Sequence, residues 1–219
     1  MTLATASNPY ESILRQGVMA LGLTLSDSQI TQLLGYHALI QKWNKVYNLT
    51  AIREPGEMLT HHLLDSLAIV APLLRQTSEA SISMLDVGAG AGLPGVVVAI
   101  CCPQVSVTCV DAVAKKMAFV QQVATELKLP NLKALHARVE TLEDKYDVIT
   151  SRAFATLLDF VTGSRAALKP ATGVWLAMKA KDTSVEVAQL PSDVRVFHVE
   201  QLTVPGLDAE RCIVWMKFQ

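Results

Sequence analysis

The sequence has no long apolar run, although 51% of its 219 residues are hydrophobic. A transmembrane helix needs about 18 or more consecutive apolar residues, and no such stretch occurs here. Residues 1–10 also lack the charged start and the apolar core of a secretion signal. We therefore expect a cytoplasmic protein that has no membrane partner.

Paired cysteines are missing as well. The four cysteines are Cys101, Cys102, Cys109 and Cys212, and each lies inside an apolar segment. None forms a CxxC pair, and no Cys–His spacing is typical of a zinc site. We expect buried, reduced thiols and no bound metal.

Charge of one sign is not in excess. The net charge of −1 gives no indication, over the whole chain, of a nucleic-acid partner. Residues 112–181 nevertheless hold 11 Lys or Arg against 6 Asp or Glu. A basic middle segment suits a polyanion, although the same excess is common on ordinary solvated surfaces.

The N-terminal third of the chain has the periodicity of helices. Its length allows a small helical addition to one domain of ordinary size. Apolar spacing predicts helices over residues 10–21, 26–47 and 57–74. Ser26 and Gln29 predict a capping box, Asn48 is expected to end the second helix, and Pro72 is expected to break the third near its end. We expect a helical extension over residues 1–78, packed on a domain over residues 79–219.

Short β-rich runs alternate with helices from residue 81 onward. Strands are predicted over residues 82–87, 105–110, 132–136, 146–150 and 173–178, and helices over residues 94–101, 113–127, 156–168 and 183–190. Residues 194–204 and 211–218 are β-rich with no room for a helix between them, which predicts an antiparallel hairpin. A mostly parallel seven-stranded α/β sheet that ends in such a hairpin is the Rossmann-like fold of class I S-adenosylmethionine-dependent methyltransferases.

A glycine-rich loop follows the first predicted strand. Gly88, Gly90 and Gly92 alternate after Asp86, and Leu93 and Pro94 open the next helix. Alternate glycines let the backbone turn sharply and approach a ligand closely, and a helix N-terminus presents free N–H groups. This pattern is typical of an S-adenosylmethionine loop.

The same loop also fits a dinucleotide site. Gly90, Gly92 and Gly95 satisfy GxGxxG, and Asp111 follows about 20 residues later, as that pattern requires. The C-terminal hairpin suits a methyltransferase sheet better than an NAD-binding one, so an NAD-dependent oxidoreductase is the less favoured alternative. Asp111 itself either accepts hydrogen bonds from the ribose hydroxyls of an adenosine or caps the helix that follows.

Ordered motifs along most of the chain carry a resemblance to a known family. The motifs lie at residues 42–52, 62–67, 86–95, 138–140, 151–155 and 205–215. In these segments the chain resembles the ribosomal small-subunit methyltransferase G family, also called glucose-inhibited division protein B. The resemblance implies methylation of N7 of a guanosine in the 530 loop of bacterial 16S rRNA (guanine 527 in the family), with S-adenosylmethionine as cofactor.

The resemblance also implies a set of cofactor contacts. It places them at Gly88 and Leu93 in the loop, at Val139 and Glu140 after the third strand, and at Arg152 after the fourth. From the residues, Gly90 and Asp111 join the set. Val139 and Glu140 alone are equally typical of a surface turn.

Arg152 and Phe154 stand where the fourth strand meets the expected pocket. Arg152 is expected to bind the cofactor carboxylate or an rRNA phosphate, with a salt bridge to an acidic residue on the surface as the alternative. Phe154 either stacks on the target base or belongs to the core. Guanine N7 carries a lone pair and no proton, so no catalytic base is expected and positioning should dominate catalysis. The remaining alternatives are a methyltransferase acting on another RNA or on a small molecule, and a non-catalytic RNA-binding module.

Several residues of the helical extension have no assigned role. His61, His62 and Asp65 suggest a metal site, but no third ligand is evident, and helix packing or RNA contact is the preferred interpretation. Trp43 and Tyr47 lie one helical turn apart and are expected to pack in the core. A basic rim of Lys42, Lys45 and Arg53 is a candidate rRNA contact. We expect a monomer whose partner is 16S rRNA or the 30S subunit.

Overall fold

The structure is a computed structural model that describes residues 8–78, 80–152, 154, 156–180 and 183–219. Residues 1–7 of the predicted extension, Glu79 at the start of the predicted domain, and Ala153 and Ala155 of the motif at 151–155 lie outside these ranges. Within the described residues, helices precede an α/β sheet, in the order that the sequence predicts.

The N-terminal part consists of helical segments. They are α1 (Glu11–Ala20), α2 (Asp27–Tyr47), α3 (Pro55–Met58), a π-helix (Leu59–Leu64), α4 (Asp65–Leu67) and α5 (Val70–Gln76). The capping box of α2 is confirmed, because the Gln29 N–H donates to Ser26 Oγ and the Ser26 N–H donates to Gln29 Oε1. Asn48 ends α2 in a left-handed conformation with φ of 49°, as expected.

The third predicted helix differs from the prediction. The helical segment begins at Pro55, passes through the π-helix and is interrupted between Leu67 and Val70. Pro72 lies in the first turn of α5, after the interruption. The prediction that Pro72 breaks the helix near its end is therefore wrong. Backbone N–H groups in a first turn have no acceptor within the helix, so the missing N–H of proline costs little there.

The rest of the described chain forms a seven-stranded sheet with crossover helices. The strands are β1 (Ser83–Val87), β2 (Ser106–Asp111), β3 (Leu132–His136), β4 (Val148–Arg152), β5 (Val174–Lys179), β6 (Val194–Leu202) and β7 (Arg211–Phe218). The helices are α6 (Gly95–Cys101), α7 (Ala114–Glu126), α8 (Leu157–Ser164) and α9 (Ser184–Val187), with 3₁₀ turns at Val139–Thr141 and Arg165–Ala167.

The strand order is β3-β2-β1-β4-β5-β7-β6. The first five strands run parallel, and β7 pairs antiparallel with both β5 and β6. The predicted fold class and its C-terminal hairpin are confirmed. Because parallel strands share one carboxyl edge, the residues that follow β1, β2, β3, β4 and β5 converge there.

The bounds of β4 and of α9 differ from the prediction. β4 begins at Val148, two residues later than predicted, and Arg152 is its last residue. Tyr146 pairs outside the strand, in an isolated bridge with Leu168. Helix α9 covers only Ser184–Val187 of the predicted residues 183–190.

Each face of the sheet is covered by its own hydrophobic cluster. One cluster joins α2, α6 and α7, with Leu33, Val96 and Phe119 fully buried in it. The other packs α8 against the opposite face, around Phe160 and Trp175. The N-terminal helices thus share a core with the sheet, which brings them beside the glycine-rich loop. None of the helices in the described part of the chain is long and apolar enough to cross a membrane.

Candidate active site

The glycine-rich loop forms a tight cradle at the carboxyl end of β1. Gly88 and Gly90 adopt φ of +64° and +59°, a region that side chains other than glycine rarely occupy. The Ala89 N–H donates to the Val110 carbonyl oxygen over 3.1 Å, so the loop lies across the end of β2. The positive φ values therefore explain why glycine is present at these two positions of the loop.

A buried carboxyl group, that of Asp86, links the two ends of this loop. Asp86 is fully buried, and its Oδ2 accepts from the Gly95 N–H at the start of α6 over 2.7 Å. Its Oδ1 has no hydrogen-bond partner among the described residues. Burial raises the pKa of Asp86 to about 7. The hydrogen bond from Gly95 lowers the pKa, but burial has the larger effect. Asp86 thus joins the end of β1 to the start of α6, the two elements that the loop connects.

Asp111 holds the turn after β2 with both of its oxygens. Oδ1 accepts from the Val113 N–H over 2.9 Å, and Oδ2 accepts from the Gly90 N–H over 3.1 Å. Lys116 Nζ lies 3.4 Å from Oδ2. The carboxylate therefore supports the start of α7, as one interpretation of the sequence expects, while it also faces a cavity.

That cavity, here called the smaller cavity, has a volume of about 310 Å³. It is lined by Val87, Gly88, Val110, Asp111, Ala112, Ala137, Arg138, Val139, Glu140 and Phe154. Val139 is 8% exposed and starts a 3₁₀ turn. A carboxylate, a glycine backbone without Cβ atoms and an apolar wall are the groups that a nucleoside needs, so the residues present fit the adenosine part of S-adenosylmethionine.

A second cavity adjoins the first and shares Phe154 with it. This larger cavity has a volume of about 530 Å³. It is lined by Ile52, His61, His62, Asp65, Arg152, Phe154, Met178, Lys179, Ala180, Glu186 and Arg211. Phe154 also approaches the loop, because a Cβ placed on Gly88 would lie 4.0 Å from its ring. One aromatic ring therefore separates the two cavities.

Arg152 is bound to the helical extension in this structure. Its Nη1 donates to Asp65 Oδ2 over 3.1 Å and to the His61 carbonyl oxygen over 2.8 Å. Arg211 Nε donates to Asp65 Oδ1 over 2.9 Å. One carboxylate, itself only 4% exposed, thus joins two guanidinium groups. Arg152 thus forms a salt bridge, as the alternative interpretation expects, but its partner is the buried Asp65 and not an acidic residue on the surface.

His62 completes this cluster as a neutral side chain. Burial, followed by the charge of Arg152, lowers its pKa to about 4. Its Nε2 lies 2.8 Å from Thr50 Oγ1. Within the described ranges, no group of three or more His, Cys, Asp or Glu is placed to hold a metal ion. His62 and Asp65 instead pack between the extension and the sheet.

Lys179 and Glu186 form a second ion pair in the wall of the larger cavity. Lys179 is the last residue of β5, and its Nζ lies 2.8 Å from Glu186 Oε2. The same oxygen accepts from the Leu157 N–H over 2.7 Å. The pair therefore fixes α9 against the start of α8.

The structure does not bring all of the predicted residues to a cavity surface. Leu93 is 4% exposed and belongs to the hydrophobic core. Gly90 reaches the smaller cavity only through its hydrogen bond with Asp111. Gly88, Asp111, Val139 and Glu140 line the smaller cavity, and Arg152 lines the larger one.

The aromatic pair at the end of α2 is only partly as predicted. Trp43 packs against the core, with its ring centroid 5.4 Å from that of Phe119. Tyr47 is 41% exposed, so its expected place in the core is wrong. It is the last residue of α2, and its ring centroid lies 5.0 Å from that of Trp43.

Lys179, Glu186 and Arg211 are charged residues of the larger cavity to which the sequence interpretation gave no role. A signal for Lys179 was present, because it ends a parallel strand just as Arg152 does. Arg211 opens β7, which becomes informative only once β7 is known to lie beside β5. Glu186 stands in a short helix with no local pattern that marks it.

Comparisons with known proteins identify the family. The sequence profile described as "GidB: rRNA small subunit methyltransferase G" matches residues 29–214. The chain belongs to this family. The match covers the glycine-rich loop, both cavities and most of the helical extension, and it favours the methyltransferase interpretation of the loop over the dinucleotide one.

Close relatives extend over nearly the whole chain. The protein named "Ribosomal RNA small subunit methyltransferase G" from Albidiferax ferrireducens is 63% identical over 217 residues, which cover 94% of this chain and 96% of the relative. The protein of the same name from a Polaromonas species is 64% identical over 211 residues, covering 94% and 93%. The enzyme is therefore a methyltransferase, and its cofactor is S-adenosylmethionine.

Solved structures support the fold. TrmN from Thermus thermophilus superimposes with a TM-score of 0.56 at 18% identity, covering 70% of this chain and 49% of that one. A SAM-dependent methyltransferase from Aquifex aeolicus gives a TM-score of 0.54 at 15% identity, covering 82% and 97%. At these identities the likeness concerns the class I methyltransferase fold alone.

Proposed function

We propose that this enzyme transfers a methyl group from S-adenosylmethionine to N7 of a guanosine in the 530 loop of 16S rRNA. The observation that carries the proposal is the pair of cavities that share Phe154 at the carboxyl edge of the sheet. One cavity suits the nucleoside of the cofactor, and the other is large enough for a base. The names of the relatives add small-subunit rRNA as the substrate class.

The cofactor site that we propose comprises Gly88, Gly90, Leu93, Asp111, Val139, Glu140 and Arg152. Asp111 would accept hydrogen bonds from the ribose, beside the cradle of Gly88 and Gly90. Val139 would cover a face of the adenine, with Glu140 beside it. Leu93, being buried, would hold the shape of the loop.

Arg152 would bind the cofactor carboxylate without leaving Asp65. A guanidinium group has five N–H donors, which point outward in one plane. One edge of the group can therefore donate to Asp65 while another edge donates to a second anion. Arg152 and Arg211 both pair with the single carboxylate of Asp65. This cluster therefore carries a net positive charge, which would attract the carboxylate of the cofactor.

The chemistry requires positioning more than proton transfer. Bound S-adenosylmethionine supplies an electrophilic methyl group on a sulfonium. Guanine N7 attacks with a lone pair and carries no proton, so we assign no catalytic base. The chain's contribution is to orient the base, exclude water and hold the charged groups in place.

The partner and the organisation of the chain follow from this proposal. We propose 16S rRNA or the 30S subunit as partner, a cytoplasmic location and a monomeric enzyme. Residues 1–78 would be a helical extension of a methyltransferase domain over residues 79–219. The shared hydrophobic cluster supports close packing of the two parts.

The test is transfer of a tritiated methyl group to 30S subunits that lack their own N7 mark. Chain cleavage after borohydride and aniline treatment would locate the product, because these reagents cleave at 7-methylguanosine. We expect one cleavage site, in the 530 loop. Naked 16S rRNA tested in parallel distinguishes RNA from the assembled subunit as substrate.

Three results would contradict the proposal. Incorporation elsewhere in the RNA would point to another RNA target, and incorporation only into small molecules would point to a different acceptor class. Binding of NADH without binding of S-adenosylhomocysteine, measured by calorimetry, would favour an oxidoreductase. A catalytically inactive control, Asp86→Ala that still folds, should give no incorporation.

A further inference from the structure

The side chains of the ion pair of Lys179 and Glu186 are more buried than those of an ordinary surface ion pair. The two side chains are only 12% and 27% exposed, and Lys179 Nζ lies 2.8 Å from Glu186 Oε2. Lys179 ends β5 at the edge of the sheet, while Glu186 comes from α9. Both residues line the larger cavity, which Arg152 and Phe154 also line.

Hydrogen bonds fix the orientation of this pair. Glu186 Oε2 accepts from the Leu157 N–H over 2.7 Å as well as pairing with Lys179. Lys179 Nζ lies 3.5 Å from the carbonyl oxygen of Phe154. Both contacts use the same oxygen of Glu186, and among the described residues no hydrogen bond to its Oε1 is found, so Oε1 can accept from a donor in the cavity. The pair thus offers an ammonium donor beside a carboxylate acceptor.

An adjacent donor and acceptor match one edge of guanine. Along its Watson–Crick edge guanine presents the acceptor O6, followed by the donors N1–H and N2–H₂. Adenine and cytosine present a donor where guanine has O6, and an acceptor where it has N1–H. Uracil shares the first two groups of guanine but lacks the second donor. A lysine beside a glutamate therefore selects guanine among the four bases.

We propose that Lys179 and Glu186 read the Watson–Crick edge of the acceptor guanine. Lys179 donates to O6, and the two lone pairs of Glu186 Oε1 accept from N1–H and N2–H₂. This inference rests on the proposed function and adds the residues that determine its specificity. Because N7 lies on the other edge of the base, binding through the Watson–Crick edge leaves its lone pair free to meet the methyl group.

The test uses inosine, which is guanosine without the N2 amino group. 16S rRNA with guanosine or inosine at the target position is made by splinted ligation and assembled into 30S subunits. Loss of a hydrogen bond to a charged group costs about 1.5–3 kcal/mol, so we expect the native enzyme to methylate inosine about tenfold to a hundredfold more slowly, measured as kcat/KM.

Glu186→Gln should remove most of this discrimination. Glutamine has one side-chain oxygen, which the Leu157 N–H requires, and its amide N–H₂ would face the donors of guanine. We expect the rates for guanosine and inosine to differ by about twofold or less in this variant. If Glu186→Gln slows both substrates in the same proportion, the pair is structural and the inference is wrong.

Asp147→Asn is the matched control. Asp147 also pairs with a lysine, Lys169, over 2.7 Å, and it also accepts a backbone N–H, that of Ser83 over 2.9 Å. It lines neither of the two cavities. This variant should keep the native ratio of guanosine to inosine rates. A native enzyme that methylates both substrates equally fast would also overturn the inference.

A binding measurement separates this inference from the proposed function. GMP, IMP and AMP are titrated into the enzyme saturated with S-adenosylhomocysteine. We expect GMP to bind most tightly, and its advantage over IMP to disappear in Glu186→Gln but to persist in Asp147→Asn. If 30S subunits are not methylated but this pattern holds, the proposed rRNA target fails while the guanine-reading pair stands. If GMP has no advantage over IMP in the native enzyme, the pair is not a guanine reader, whatever the target.

Discussion

Arg152 donates to Asp65 over 3.1 Å, although 87 positions of sequence separate them. Arg211 binds the other oxygen of Asp65 from a third part of the chain. This carboxylate therefore ties the helical extension to the last residue of β4 and the first residue of β7. The wall of the larger cavity depends on that connection.

Replacing Asp65 should destabilise the enzyme markedly. Asp65→Ala would leave two half-buried guanidinium groups without their anion, and loss of one partner from a buried ion pair costs about 3–5 kcal/mol. We expect the free energy of unfolding, measured in urea, to fall by about that amount. Asp193→Ala is the control, because Asp193 pairs with Arg165 at an exposed site and should cost less than about 1 kcal/mol. Equal losses in the two variants would contradict this account of the site.

Gly88 should matter for cofactor binding beyond its effect on stability. Gly88→Ala places a Cβ in the gap before Phe154, at a residue with φ of +64°. Gly22→Ala is the matched control, since Gly22 has φ of +68° and no atom within 4 Å of such a Cβ. Both variants should lose about 1–2 kcal/mol of stability. Only Gly88→Ala should weaken binding of S-adenosylhomocysteine, by about tenfold or more in calorimetry; native affinity in that variant would argue against the cradle.

The pKa of Asp86 predicts a dependence of stability on pH. Its pKa of about 7 in the folded enzyme lies above the ordinary value of 3.8. Between these values the folded state binds a proton that the unfolded state has released, so this group makes stability fall as pH rises. The loss should be complete somewhat above pH 7.

Asp86→Asn isolates this effect, because asparagine does not ionise. Between about pH 5 and pH 8, the native enzyme should lose about 2.5 kcal/mol more of its unfolding free energy than the variant does. Urea unfolding at the two pH values measures the difference. Parallel pH profiles for the two proteins would show that Asp86 titrates normally.

Tyr36 connects the extension to the glycine-rich loop. Its hydroxyl is buried and donates to the Ala91 carbonyl oxygen over 2.7 Å. Tyr36→Phe should cost about 1–3 kcal/mol, because it leaves that carbonyl group unsatisfied, and should speed hydrogen exchange at the loop amides of residues 88–93. Tyr47→Phe, at an exposed ring, should change neither property. Unaltered exchange in Tyr36→Phe would mean that the loop holds its shape without the extension.

Local signals in the sequence predict the order of the elements well. The capping box of Ser26 and Gln29, the glycine-rich loop at Gly88 and the C-terminal hairpin are each set by neighbours within a few residues. Their physical causes are a capped helix end, a backbone with positive φ and a connection too short for a helix. These signals also predicted the fold class.

Other predictions failed where packing overrides a local preference. Pro72 is tolerated because α5 begins two residues before it, and Tyr47, the last residue of α2, is 41% exposed although it lies one turn from the packed Trp43. The local sequence therefore predicted neither the helix start at Val70 nor the exposure of Tyr47.

The sequence by itself determined the order of most elements and the position of the glycine-rich loop, because each depends on short-range conformational preferences and on hydrophobic period. Only the tertiary structure decided which side chains meet at the carboxyl edge. Asp65, Arg152 and Arg211 come from three distant segments, and Lys179 reaches Glu186 across the end of β5. Such contacts depend on the order of the strands and on the packing of the helices. Arg211, for example, reaches the cavity because β7 lies beside β5 in the folded sheet.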